Sequence, residues 1–297
     1  MLPYFKMFSI VIPTYNNFHY LKITLNSIFK NSKYNHEIIV HVNEGIDGSL
    51  DYIKNKKIKF SYSTKNVGLC TGVNLAAKKA SKDYILYSHD DMYFCPGWDV
   101  CLYEEIDKLN TNKFYLSASM IEKNSGHIQF DAGDNFKNFD EDKLLSNLKN
   151  LNYFNFQGSH WAPHLIHKNV WNKVGGFSEE FNPGMGSDPD LNMKLWKEGI
   201  RIFKGLSKFK VYHFGSISLR KKKYLKTNNG TKTFLKKWKI TPTFFTRHYL
   251  RGGIFLNDKI ISNKFFGPLE EPVKSFSYYI GLLKCKVKLF ILKLKGE

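Results

Sequence analysis

The chain is predicted to be α/β, with a mostly parallel central sheet flanked by helices and a basic helical extension at its C-terminus. Three observations predict this. In the first third of the chain, short β-branched apolar runs alternate with stretches of helical periodicity, the order of a parallel sheet joined by helical crossovers. Each apolar run ends in polar or turn-forming residues. The segments 13–17, 43–48 and 88–92 therefore gather at one edge of the sheet, where open α/β folds bind ligands. Finally, the run Tyr84-Ile85-Leu86-Tyr87-Ser88-His89-Asp90-Asp91-Met92 delivers two adjacent carboxylates to that edge. Neighbouring carboxylates repel unless a cation or proton separates them. A divalent cation bound with a substrate diphosphate is one way to hold them, and a solvated turn is the plainer reading.

The elements follow in order. Phe8–Ile12 is the first strand, and Pro13-Thr14-Tyr15-Asn16-Asn17 turns the chain into a helix with Leu21, Leu25 and Ile28 on one face. Glu37–Val42 is the second strand, ending at Asn43-Glu44-Gly45, and Ile58–Tyr62 is the third. Asn66-Val67-Gly68 opens a helix carrying Leu69, Val73, Ala76 and Ala77, and Asp83–Ser88 is the strand that reaches the acids. Phe114–Met120 and His127–Phe130 read as strands, with the polar, acidic segment 131–152 as a mobile loop. Asn169–Val174 is a short helix stopped by Gly175-Gly176. Ser187-Asp188-Pro189-Asp190 starts another, with Ser or Asp as its cap, Pro at the first helical position and Gly199 as its stop. Arg201–Phe203 and Phe209–Phe214 are short strands.

The character changes after residue 216, which divides the chain into a domain of 1–216 and an extension of 217–297. Arg220-Lys221-Lys222-Lys223 is a basic block. Further on, Ile280, Leu283, Val287, Ile291 and Leu294 fall on one helical face, with Lys284, Lys286, Lys288, Lys293 and Lys295 off it. Such a helix either lies on an anionic membrane surface or packs on the domain with its lysines in water.

The 297 residues are 42% hydrophobic and 16% aromatic, enough for a sizeable core, which excludes a disordered chain. A net charge of +19 points to an anionic partner: nucleic acid, an acidic membrane surface or a phosphorylated substrate. Cys70, Cys95, Cys101 and Cys285 form no CxxC pair and no zinc spacing, so reduced thiols in the cytoplasm are expected. The N-terminal apolar run is too short for a signal peptide, and no stretch approaches the length of a membrane span.

These motifs, in this order through residues 8–216, resemble the family 2 glycosyltransferases, inverting nucleotide-sugar enzymes of GT-A fold, a Rossmann-like architecture. Phe8 to Asn16 is similar to the family's opening strand and nucleotide loop. Asn43-Glu44-Gly45-Ile46-Asp47-Gly48-Ser49 is similar to its second loop, and Asn66-Val67-Gly68 with Asn74 to the segment after the third strand. His89-Asp90-Asp91 occupies the Asp-X-Asp position, with His where the family commonly has Asp. Gly175-Gly176-Phe177 followed by Asp188-Pro189-Asp190 resembles the acceptor-side segment, and Val211-Tyr212-His213 the late histidine.

The resemblance implies a role for each of these positions. Asp91 and His213 would hold a divalent metal, Mn²⁺ or Mg²⁺. His89 would either join them or only shape the loop; as a ligand it suits Mn²⁺ better than Mg²⁺. Asp90 would lie near the donor ribose or sugar. Pro13, Thr14 and Tyr15 would hold the nucleotide base, and Glu44 would accept from a pyrimidine N3–H. Asn66, Gly68 and Asn74 belong to the same donor side. Trp161 and His160 lie where the family meets sugar or acceptor. Asp188 is the expected base that takes the acceptor's proton, and Asp190 is the second candidate or its support. The implied partners are a nucleoside-diphosphate sugar and a glycan or lipid-linked acceptor in surface polysaccharide or glycolipid assembly, worked on at the inner face of a membrane. Two rivals keep the fold: transfer to a nucleic-acid base, and a non-catalytic sugar- or nucleotide-binding protein. A glycoside hydrolase would have no use for the nucleotide loops.

Overall fold

The computed structural model describes residues 7–215, 228–252, 254–256, 259–261 and 264–296. The basic block at 220–223 lies outside the described residues. The first half of the sheet is built from β1 (Phe8–Tyr15), α1 (Phe18–Asn31), β2 (Glu37–Asn43), α2 (Ser49–Asn55), β3 (Lys59–Ser63), α3 (Leu69–Ala77) and β4 (Tyr84–Tyr87). Its strands run in the order β3-β2-β1-β4, all parallel. Buried β1 reads as an almost continuous apolar run because helices cover both faces of a parallel sheet.

The second half is mixed. Next in chain order come β5 (Met92–Phe94), α4 (Trp98–Leu109), β6 (Phe114–Glu122), β7 (Ile128–Gln129), α5 (Glu141–Asn147), β8 (Phe156–Gln157) and β9 (His164–His167). Then follow α6 (Lys168–Val174), α7 (Ser187–Lys197) and β10 (Ile202–His213). Antiparallel β9 sits between β4 and β6, β6 pairs parallel with β10, and β5 closes the edge antiparallel to β10. The sheet is therefore mostly parallel, with antiparallel pairs where β9 and β5 enter.

Pro13 shows how the crevice opens. Pro has no N–H to give a central strand. On one side Pro13 still faces His41 of β2, but on the other the β4 ladder has already ended at Val11 and Tyr87. Beyond that point the ladder gives way to single contacts between β1 and the 88–91 turn, Ser88 N–H to Val11 O at 3.0 Å and Thr14 Oγ1 to Asp90 Oδ2 at 2.6 Å.

Several expectations are corrected. The segment 131–152 is not a bare loop: it carries α5, capped by Asp140, whose Oδ1 accepts from Lys143 N–H at 2.8 Å. Leu144 is fully buried in a second core with Tyr20, Ile121 and Tyr212. The two strands expected at 201–203 and 209–214 are one strand, β10, interrupted by a register shift between Leu206 and Lys210. Helix α7 is capped by Gly186, in a left-handed conformation at φ +87°, so Ser187 and Asp188 lie inside its first turn and Pro189 is the third helical residue. Pro is tolerated there because first-turn N–H groups have no intrahelical acceptor.

The core does not stop at residue 216. Beyond it lie α8 (Gly230–Trp238), α9 (Pro242–Phe245), the antiparallel strands β11 (Ile254–Leu256) and β12 (Lys259–Ile261), and α10 (Phe276–Leu294). Phe234, Phe245 and Leu250 are fully buried in the same cluster as β1 and β4.

Candidate active site

The two acids after β4 have different surroundings. Asp90 is buried and braced: Thr14 Oγ1 donates to its Oδ2 at 2.6 Å and Asn17 Nδ2 to its Oδ1 at 3.0 Å. The Thr24 hydroxyl donates to its backbone carbonyl at 2.9 Å and receives Met92 N–H at 3.1 Å. Burial and then the charge of Asp91 push the Asp90 pKa up to about 7, against the pull of Thr14 and Asn17.

Asp91 faces two histidines. Its Oδ1 lies 3.5 Å from His213 Nε2 and 4.0 Å from His89 Nδ1. One ligand atom from each of these three residues falls within 4.8 Å of the others. On its far side His213 Nδ1 bonds Glu122 Oε1 at 2.6 Å, which turns Nε2 toward Asp91. Burial opposes a charge on His213, but Asp91 and Glu122 outweigh it and raise its pKa to about 10. Burial, helped by His213, pushes His89 down to about 4 despite Asp91. Two imidazoles and one carboxylate form a donor set that fits Mn²⁺, which accepts imidazole, better than Mg²⁺. The Glu122–His213 pair is the carboxylate–histidine arrangement that orients metal ligands. A cleft of about 270 Å³ opens beside the cluster, lined by Tyr20, Glu122, Asp134, His213 and Phe214 among others.

The first loops are knitted together. Glu44, at φ +60°, accepts from Asn16 Nδ2 at 3.1 Å, while Asn16 Oδ1 accepts from Ile46 N–H at 3.1 Å. Asp47 accepts from Phe18 N–H at 2.7 Å, at the start of α1. Pro13, Thr14 and Tyr15 end β1 beside these loops, and the Thr14 hydroxyl is spent on Asp90. Asn66 folds back to accept from Gly68 N–H at 2.9 Å. Gly68 holds φ +86°, and a Cβ there would meet Asn182 Oδ1 at 2.4 Å. That oxygen accepts from Cys70 N–H at 3.0 Å, so Asn182 caps α3 from the loop before α7. Asn74 donates to Phe177 O at 2.8 Å and accepts from Phe177 N–H at 2.9 Å. Its amide is a strut between α3 and Phe177, next to the Gly175-Gly176 turn.

The acid pair on α7 is also divided. Asp188 is only partly exposed, and its Oδ1 is shielded from solvent with no hydrogen-bond partner among the described residues. Burial raises its pKa to about 7. Burial, and then the Asp188 charge, hold the Tyr87 hydroxyl well above its usual range, and the Tyr87 ring meets His89 at 5.5 Å. Asp190 is fully buried and its carboxylate is occupied, by Ser178 Oγ at 2.6 Å, Trp238 Nε1 at 2.7 Å and Lys237 Nζ at 2.9 Å. Trp161 packs among His160, His127 and Phe156, with centroids at 4.3, 4.8 and 6.0 Å. Its backbone carbonyl accepts from Tyr115 OH, which also bonds His164.

Sequence reasoning named no role for Asn17, Glu122, Asn182 or Trp238. Glu122 carried a faint signal, an acid closing a strand beside the one that ends in His213. The other three act across long sequence separations that no local pattern marks.

A sheet of this order, with its acid–histidine cluster past β4, defines a GT-A glycosyltransferase fold. S. aureus TarS 1-349 superposes with a TM-score of 0.53 at 19% identity, over 70% of this chain and 60% of that one, and was also solved in complex with UDP-GlcNAc. GalNAc-T7, solved with UDP, GalNAc and Mn²⁺, gives 0.55 at 18% identity, over 71% and 44%. Residues 9–167, more than half of the chain, match the family described as Glycosyl transferase family 2, and the chain belongs to that family. An uncharacterised glycosyltransferase of Rickettsia typhi is 29% identical over 209 residues, 67% of this chain and 60% of its own length. Another, from Rickettsia conorii, is 35% identical over 99 residues, 31% of this chain and 16% of its own. The chain thus spans less than two thirds of either relative.

Proposed function

We propose that this chain is an inverting glycosyltransferase that moves a sugar from a nucleoside-diphosphate sugar to an acceptor hydroxyl. The observation that carries the proposal is Asp188: a carboxylate in the first turn of α7, with one oxygen shielded and unpartnered among the described residues. In the step proposed, Asp188 takes the acceptor hydroxyl's proton as that oxygen attacks the anomeric carbon. The bond from that carbon to the diphosphate breaks on the opposite face, and configuration inverts. Asp190, with both oxygens engaged, positions the turn and takes no proton itself. His89, Asp91 and His213 are the residues that would hold a divalent cation, whose Lewis acidity neutralises a leaving diphosphate. Glu122 keeps the His213 ring aimed at that place. Asp90, tied to Thr14 and Asn17, holds the first loop against the acid turn. Glu44 and Tyr15 remain the base-recognition candidates, and Trp161 the aromatic surface for a sugar ring. The uridine-diphosphate ligands of the two solved fold relatives support a UDP-sugar donor.

The acceptor proposed is a glycan or a lipid-linked saccharide. Among the described residues, no helix is long and apolar enough to cross a membrane. The test is nucleotide release from a panel of UDP-, GDP- and dTDP-sugars, with Mn²⁺ or Mg²⁺ and with EDTA, beside Asp188→Asn and Asp91→Ala. Metal-dependent release from one donor, lost in both variants, is expected. Silence across the panel together with no nucleotide binding in calorimetry would sink the reading.

A further inference from the structure

Helix α10 is apolar on two opposite sides. At about 100° per residue, Tyr278, Leu282, Cys285, Leu289 and Leu292 share one arc of about 80°, and all pack against the body. The docking there is close. Cys285 is buried and its Sγ lies 3.8 Å from Thr241 Oγ1, the Tyr278 ring meets Phe244 at 5.1 Å, and a Cβ on Gly281 would come within 2.9 Å of that Phe244 ring.

The opposite side faces outward. Phe276, Ile280, Leu283, Val287, Phe290 and Leu294 form a stripe with spacings of four and three residues. Leu283 is 61% exposed, Phe290 60% and Leu294 72%. Lys284, Lys288 and Lys295 border the stripe on one side, Lys286 and Lys293 on the other, and no acid occurs between Phe276 and Leu294.

Three occupants meet this face differently. A membrane span is excluded by the lysines within the helix. A second copy fits the apolar spacing. However, antiparallel or parallel pairing would set lysines at the flanking positions against lysines with no carboxylate to answer them. An anionic lipid surface answers both features: the apolar stripe enters the boundary of the acyl chains, and the bordering ammonium groups reach the headgroups on either side.

We propose that α10 is an interfacial helix, docked on the enzyme by its Cys285 side and inserted into an anionic bilayer surface by its Leu283–Phe290 side. This extends the reading of a lipid-linked acceptor, and its test uses no substrate, so its failure leaves the transfer chemistry standing. The full chain is sedimented with phosphatidylcholine vesicles with and without phosphatidylglycerol. Binding is expected only with phosphatidylglycerol, and is expected to fall about tenfold or more in each of Leu283→Ser and Phe290→Ser. A Lys284→Glu/Lys286→Glu double variant is expected to lose binding as well. Melting temperatures should not move, because these side chains are exposed. No binding to anionic vesicles overturns the proposal. So does binding that survives both serine variants, which would be adsorption by lysine alone. A concentration-dependent dimer abolished by the serine variants would assign the stripe to a second copy instead.

Discussion

The indole Nε1 of Trp238 donates to the Asp190 carboxylate at 2.7 Å, so a residue of α8 fastens the helix on which Asp188 stands. Lys237 adds an ion pair to the same carboxylate and another to Glu180 at 2.9 Å. Trp238→Phe keeps the ring and removes the donor. Because Asp190 is fully buried, a missing donor is expected to cost about 1–3 kcal/mol of stability, read by chemical denaturation. Nucleotide release should fall while donor affinity, read by calorimetry, stays.

Asp188→Asn keeps the shape and removes the base. Transfer is expected to fall by about 10²–10⁴ with donor binding unchanged. The same variant should be more stable than the parent at pH 8. Burial raises the Asp188 pKa from 3.8 to about 7, so the folded protein holds that proton more tightly than the unfolded chain. Stability contributed by this group is present below the ordinary value and is lost as pH rises toward 7, and Asn has no charge to bury. Thermal melts of both proteins at pH 5 and pH 8 check it: the advantage of Asn should be clearly larger at the higher pH.

The pH dependence of the rate follows from the same group with the opposite sign. A protonated Asp188 accepts nothing from the acceptor hydroxyl. The single-turnover rate is expected to climb between pH 6 and 8 and level off above. A flat profile across that range would remove Asp188 as the base.

The histidine end predicts a metal signature. Mn²⁺ is expected to raise the melting temperature more than Mg²⁺, because the cluster offers two imidazoles. His213→Ala should abolish the Mn²⁺ shift. Glu122→Gln leaves the ligand atoms in place but loosens the ring, and should weaken Mn²⁺ affinity by about 10–100-fold.

The sequence makes visible what depends on local pattern. Phe8–Ile12 and Asp83–Ser88 announce themselves as apolar runs ending in turn residues, and both became neighbouring parallel strands. The order of motifs also pointed to the family. What stayed hidden depends on contacts between distant segments. Strand β9 has only four residues and is placed by pairing with β4 and β6. The segment around Leu144 looked like loop because its apolar residues are sparse; Phe136 and Phe139 gain their meaning only against Tyr20 and Tyr212. The amide of Asn74 has its partner in the backbone of Phe177, 103 positions away, which no local pattern marks.

The brace of Thr14 and Asn17 on Asp90 has an energetic consequence. The loop that ends β1 and the turn that carries Asp91 are held through one carboxylate, so neither rearranges alone. A ligand that fixes the first loop also narrows the positions open to Asp91, and an ion that fixes Asp91 narrows those open to the loop. Thermodynamic linkage makes the two effects equal: whatever factor a nucleotide adds to the affinity for the cation, the cation returns to the affinity for the nucleotide. Asp90, which accepts from both Thr14 and Asn17, is the group through which such a coupling would pass.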